Sequence, residues 1–76
     1  MYEILSSENG LIDVFFFGTQ YLILLEEEDA SKIQSISVWH GFAANVAGTG
    51  PITVNAGDPV WLKATAILAK RGYLNV

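Results

Sequence analysis

The sequence predicts an α+β fold: an antiparallel β-sheet of four to five strands, opening as an N-terminal meander, packed against one C-terminal α-helix. Three observations predict it. The stretch Leu11–Glu28, LIDVFFFGTQYLILLEEE, holds two runs of large, strand-favouring apolar residues broken only at Gly18-Thr19-Gln20. Asn9-Gly10 stands before the first run, and both residues tolerate the positive φ of a type I′ hairpin turn. Asp58-Pro59 and Gly72 bracket a stretch with helical spacing of apolar residues.

Along the chain, Tyr2 and Ile4 alternate with Glu3 as in a half-buried strand. Met1–Ser7 is expected to pair antiparallel with Leu11–Phe17 across the Asn9-Gly10 turn. Tyr21–Glu27 is expected to return beside that strand after a turn at Gly18-Thr19-Gln20. Strand alternation puts Leu11, Asp13, Phe15 and Phe17 on one side and Ile12, Val14 and Phe16 on the other. It likewise separates Tyr21, Ile23 and Leu25 from Leu22 and Leu24. Both strands are therefore apolar on both faces, whereas a strand wetted on one side alternates more cleanly with polar residues. One face is expected to pack on the chain's own helix. The other needs a second cover, most simply another copy of the protein.

Glu26-Glu27-Glu28-Asp29 is the one concentrated charge run, and Asp29 is suited to cap a turn through Ala30-Ser31-Lys32. Ile33–Val46 reads as a fourth strand, with Ile36, Val38 and His40 on one side and Ser35, Ser37 and Trp39 on the other. Ala47-Gly48-Thr49-Gly50-Pro51 is the clearest loop, and Ile52-Thr53-Val54 is a candidate short fifth strand. The helix is expected over Pro59–Arg71. Asp58 accepts orphan amide hydrogen bonds, Pro59 loses nothing at the first position, and Lys70 and Arg71 suit the C-terminal end of the dipole. Val60, Ala64, Ile67 and Leu68 form its apolar face, with Trp61 at the margin. Tyr73-Leu74-Asn75-Val76 is an apolar tail expected to dock on a sheet edge, in its own chain or in a neighbour.

Seventy-six residues make a single domain, 1–76. A chain of that size buries only roughly 60% of the surface its unfolded form exposes. Yet 51% of the residues are apolar and 16% charged, and the mean hydropathy is +0.36. That excess favours a homo-oligomer, or a protein that docks on a larger one. With no cysteine there is no disulfide framework, thiolate metal site or cysteine nucleophile, which fits a cytoplasmic protein. The net charge is −4, and Lys32, Lys63, Lys70 and Arg71 are the whole basic supply, so nucleic-acid binding is disfavoured. No secretory leader is expected, because no basic segment and small-residue cleavage pattern frame a hydrophobic run. A membrane span is not expected either. Leu11–Leu25 is shorter than the ~20 residues a helix needs, and Asp13, Gly18 and Gln20 interrupt it.

The search for chemistry ends with no catalytic constellation, no metal site and no cofactor, so an enzyme is not expected. His40 is the only histidine, and no thiol or second histidine completes a zinc site. No serine sits in a nucleophile elbow. Gly48-Thr49-Gly50 lacks the Lys-Ser/Thr of a phosphate loop, although its amides form a candidate nest for a small anion. Candidate binding residues are Trp39 and His40, beside Gly41 at a sheet edge, and Glu26, Glu27, Glu28 and Asp29, as an acidic contact for a basic partner. The expected function is a small acidic non-enzymatic protein-interaction module, homodimeric, that binds and inhibits or adapts a larger protein. Small acidic proteins without catalytic motifs are often phage- or mobile-element-encoded inhibitors of host machinery; that analogy is one of size and composition. The alternative is an oligomeric small-ligand or nucleotide-binding protein, with inter-subunit pockets lined by Trp39, His40 and the Gly48–Gly50 amides.

Overall fold

The computed structural model describes residues 1–29, 31–38 and 53–74. Four strands, β1 (Tyr2–Glu8), β2 (Leu11–Phe16), β3 (Thr19–Leu25) and β4 (Ile33–Val38), form one antiparallel sheet in the order β1-β2-β3-β4. One helix follows them, α1 (Pro59–Lys70). The predicted α+β meander is the observed fold.

The strands pair in the register that keeps carboxylates off the buried side. Asn9 (φ 52°) and Gly10 (φ 80°) form the two-residue turn between β1 and β2. Counted from that turn without interruption, Leu5 would face Val14 and Glu3 would face Phe16. A bulge between Ile4 and Ser6 re-phases the strand, so that Ile4 faces Val14 and Tyr2 faces Phe16. Glu3 then lies opposite Phe15, on the other side of the sheet.

The second turn differs from expectation. It is Phe17 (φ 52°) and Gly18 (φ 71°), not Gly18-Thr19-Gln20, and β3 begins at Thr19. The physical reason is register. With Phe17 opposite Tyr21, Asp13 would share the face of Tyr21, Ile23 and Leu25. The two-residue turn instead sets Phe16 opposite Thr19, Val14 opposite Tyr21 and Ile12 opposite Ile23. A one-residue slip would exchange every side chain between faces and bury a carboxylate, which is costly without a partner.

A third adjustment lies between β3 and β4. Ile33 and Ile36 are three apart and would point to opposite faces of a regular strand. The pairing shifts between Leu24 opposite Ser35 and Leu25 opposite Ile33, leaving Gln34 as the exposed extra residue. Ile36 is then fully buried and Ile33 packs against the same core. The fourth strand was expected over Ile33–Val46; residues 39–46 lie outside the described residues. Of the candidate fifth strand, Thr53 bridges Ser37 antiparallel and the Val54 N–H donates to the Ile36 carbonyl at 2.8 Å.

The core lies between one face of the sheet and α1. Ile12, Val14, Phe16, Tyr21, Ile23, Leu25 and Ile36 come from the strands; Ala64, Ile67 and Leu68 come from the helix. Phe16 and Tyr21 stack with ring centroids 4.6 Å apart. Val60 and Trp61 pack at the margin, as their spacing predicts. Asp58 caps the helix by accepting the Val60 N–H at 2.8 Å. At the other end the Tyr73 N–H donates to the Leu68 carbonyl and the Gly72 N–H to that of Ala69, closing a Schellman motif with Arg71 as cap. The motif turns the chain back, and Leu74 enters the chain's own core at 4% exposure. No helix among the described residues is long and apolar enough to cross a membrane.

Ile23 sits between Ile12 and Ile36 in the middle of the core and has no exposed surface. Ile23→Ala is expected to lower unfolding free energy by about 3 kcal/mol, read from the chemical denaturation midpoint. A loss under about 1 kcal/mol would mean that this row is not the centre of the core.

Candidate functional site

The sequence-predicted site residues fall into two groups, of which only the acidic run lies within the described residues. Trp39, His40 and the Gly48–Gly50 loop lie outside the described residues. Glu26, Glu27 and Glu28 follow β3 and are exposed, lining a shallow open hollow with Gln34. Asp29 is not part of that set, because it is engaged in the turn. It accepts the Ser31 N–H at 3.0 Å and the Ser31 hydroxyl, and Lys32 Nζ stands 3.9 Å from its other oxygen. The Lys32 N–H donates to the Asp29 carbonyl, and the Glu26 N–H to that of Lys32, so the same residues also close the backbone. The run divides into three solvated glutamates and one structural aspartate. Among the described residues, no group of three or more acidic, histidine or cysteine side chains could hold a metal ion.

A different surface stands out. The helix covers one side of the sheet, and no helix or strand among the described residues covers the other. Three rows cross the open face: Glu8, Leu11, Leu24 and Ser35; Ser6, Asp13, Leu22 and Ser37; Glu3, Phe15 and Gln20. The two central strands contribute the apolar side chains and the outer strands contribute acids and serines. Leu11 is 45% exposed and Phe15 44%, while Leu22 and Leu24 are half-buried. An apolar centre inside a polar rim is the anatomy of a protein contact surface.

Asp13 lies in the middle row. Its Oδ1 accepts the Gln20 side-chain amide at 2.7 Å, diagonally across the β2–β3 pair. This fixes one carboxylate oxygen in the row between those of Leu11 and Phe15, with no lysine or arginine beside it.

Phe17, at the hairpin tip, is the second unusual feature. It is 59% exposed and occupies the left-handed φ region at the first turn position, where asparagine stands in the other hairpin. A residue with a Cβ loses roughly 1–2 kcal/mol there. The ring meets Phe16 edge-on at 5.3 Å, and with Met1, Tyr2, Glu3, Phe15 and Gly18 it lines a cleft of about 420 Å³. Strain together with exposure of a large apolar group marks positions kept for a contact rather than for stability.

Sequence reasoning placed Leu11, Asp13, Phe15 and Phe17 on one side of the second strand and required a second cover for one of the two sides, without deciding which, and did not assign these residues as binding candidates. The usable signal was the absence of polar alternation in β2 and β3. The acidic run drew attention instead because charge is easier to see in sequence than an unpartnered face.

Two outcomes are expected. Phe17→Asn should stabilise the fold by about 1 kcal/mol, because asparagine tolerates positive φ; thermal unfolding that moves down would refute the strain at this turn. The Ser31 hydroxyl, the Ser31 amide and then Lys32 hold the Asp29 carboxyl below the ordinary aspartate range. The ionised form is the bonded one, so this contribution is full above the unfolded-state value and is lost as pH falls through the lowered one. A carboxyl-detected NMR titration should show that depression, and Ser31→Ala should reduce it. No protein-family model, curated protein or solved structure matches the chain.

Proposed function

We propose that the chain is a small acidic, non-enzymatic protein-interaction module that acts by binding, and so inhibiting or adapting, a larger protein. The observation that supports this reading is the open sheet face. Leu11, Phe15, Leu22 and Leu24 form its centre, and Phe17 projects at the hairpin tip. Water is a poor cover for such a surface, at about 25 cal/mol for each Å² of apolar area left exposed. A second polypeptide laid on the face would remove that area from water. Its backbone need not join the sheet, because side chains alone supply the contact.

A second reading, association with another copy of the chain, is supported by composition: 51% apolar residues in a chain of 76, with no disulfide to help stabilise it. Both readings use the same face.

Phe15→Ser combined with Leu22→Gln should leave the fold intact, each change costing within about 0.5–1 kcal/mol because neither side chain reaches the covered core. In affinity capture from a lysate of the source cells, that variant should lose the proteins retained by the native chain. Glu27→Gln with Glu28→Gln should retain them. Capture profiles that are the same for the native chain and the Phe15/Leu22 variant would remove the open face as the contact.

A further inference from the structure

We infer that the partner surface received by the open face is apolar and positively charged, with a lysine or arginine that meets Asp13. This rests on the reading of that face as a protein contact and adds the chemistry of what it contacts.

The argument is one of charge placement. Among the described residues the open face carries three ionisable groups, Glu3, Glu8 and Asp13, and all are carboxylates. The chain has four lysine and arginine residues, and none lies on this face. Lys63, Lys70 and Arg71 belong to α1 and its cap, in the layer on the opposite side of the sheet. Lys32 stands in the turn before β4 and lines a hollow with Trp61, Thr65 and Leu74, toward the helix. The four basic residues thus all lie away from the open face, whose charged groups among the described residues are carboxylates.

Rim carboxylates such as Glu3 and Glu8 can stay in water when the face is covered. Asp13 cannot, because it stands in the middle row beside Leu22. A wholly apolar cover would bury its charge with only the Gln20 amide as partner, an unfavourable arrangement. A second copy applied face to face would bring the same three carboxylates against one another. A cationic side chain resolves the conflict. Its aliphatic stem lies on Leu22, Leu24 or Phe15, and its head completes the coordination of an oxygen that Gln20 has already oriented. The Gln20 amide then serves as a positioning group that holds the carboxylate in place before the partner arrives.

The test is a titration of the isotope-labelled chain with two probes, a short amphipathic leucine–lysine peptide and its leucine–glutamate counterpart, followed by amide shifts. Light scattering on the chain alone accompanies it. The expected result is a monomer whose β2 and β3 amides, around Asp13, Phe15 and Leu22, respond to the lysine peptide and not to the glutamate peptide. Asp13→Asn should weaken that binding by about tenfold or more, the scale of a hydrogen bond to a charged group, and Glu27→Gln should leave it unchanged. Equal response to both peptides, or no effect of Asp13→Asn, would overturn the charge assignment while leaving the face as a contact. A dimer closed through β2 and β3 would also overturn it, with a second copy as the cover. So would open-ended assembly through the helix side, where Leu62 is 62% exposed beside Lys63. Shifts confined to α1 or to Glu26–Glu28 would sink both this inference and the proposed function.

Discussion

The structure depends on strand register. Side chains alternate with period two, so the pairing of β2 with β3 decides at once which half of Leu11–Leu25 meets the helix. With Ile12 opposite Ile23 and Val14 opposite Tyr21, the helix-side face carries no carboxylate on these strands and takes in Ile36 from the neighbouring strand. Every departure from regular geometry serves the same end. The bulge in β1 turns Glu3 away from the core, and the irregularity at Gln34 brings Ile33 toward it. The Phe17-Gly18 turn keeps Asp13 on the open side at the cost of a phenylalanine in a left-handed conformation. Burial of an unpaired carboxylate would cost more than either bulge or turn.

That register leaves the two sides of the sheet with different roles. The helix side is closed by Ala64, Ile67 and Leu68, and the Schellman turn folds Leu74 into the same core. The other side keeps an apolar strip on its two central strands, bordered by Glu3, Ser6 and Glu8 on one edge and by Ser35 and Ser37 on the other. Polar edge strands discourage uncontrolled sheet extension, while an apolar centre favours a partner that lies across the face. The four lysine and arginine residues lie elsewhere, so the charged groups of this side among the described residues are of one sign, which would favour a cationic partner.

Much of the fold was legible in the sequence. Asn9-Gly10 located the first hairpin, and Asp58-Pro59 with Gly72 located the helix to within a residue, because caps and type I′ turns demand particular local chemistry. The second hairpin was legible only approximately. Phe17 carries no turn preference, so its position came from pairing between strands rather than from its own propensity. The acidic run was legible as charge but not as structure: Asp29 left the group because Ser31 stands two residues beyond it.

The sequence by itself determined the α+β class, the order of elements and the surplus of apolar surface, since composition, alternation and capping are local or additive properties. Tertiary structure alone decided which face of the meander is covered, where Asp13 stands among its neighbours and where the basic residues fall relative to the acids. Those are matters of pairing between distant residues, and a period-two pattern that is apolar on both faces is equally compatible with either face turned inward until the helix and the carboxylates break the tie.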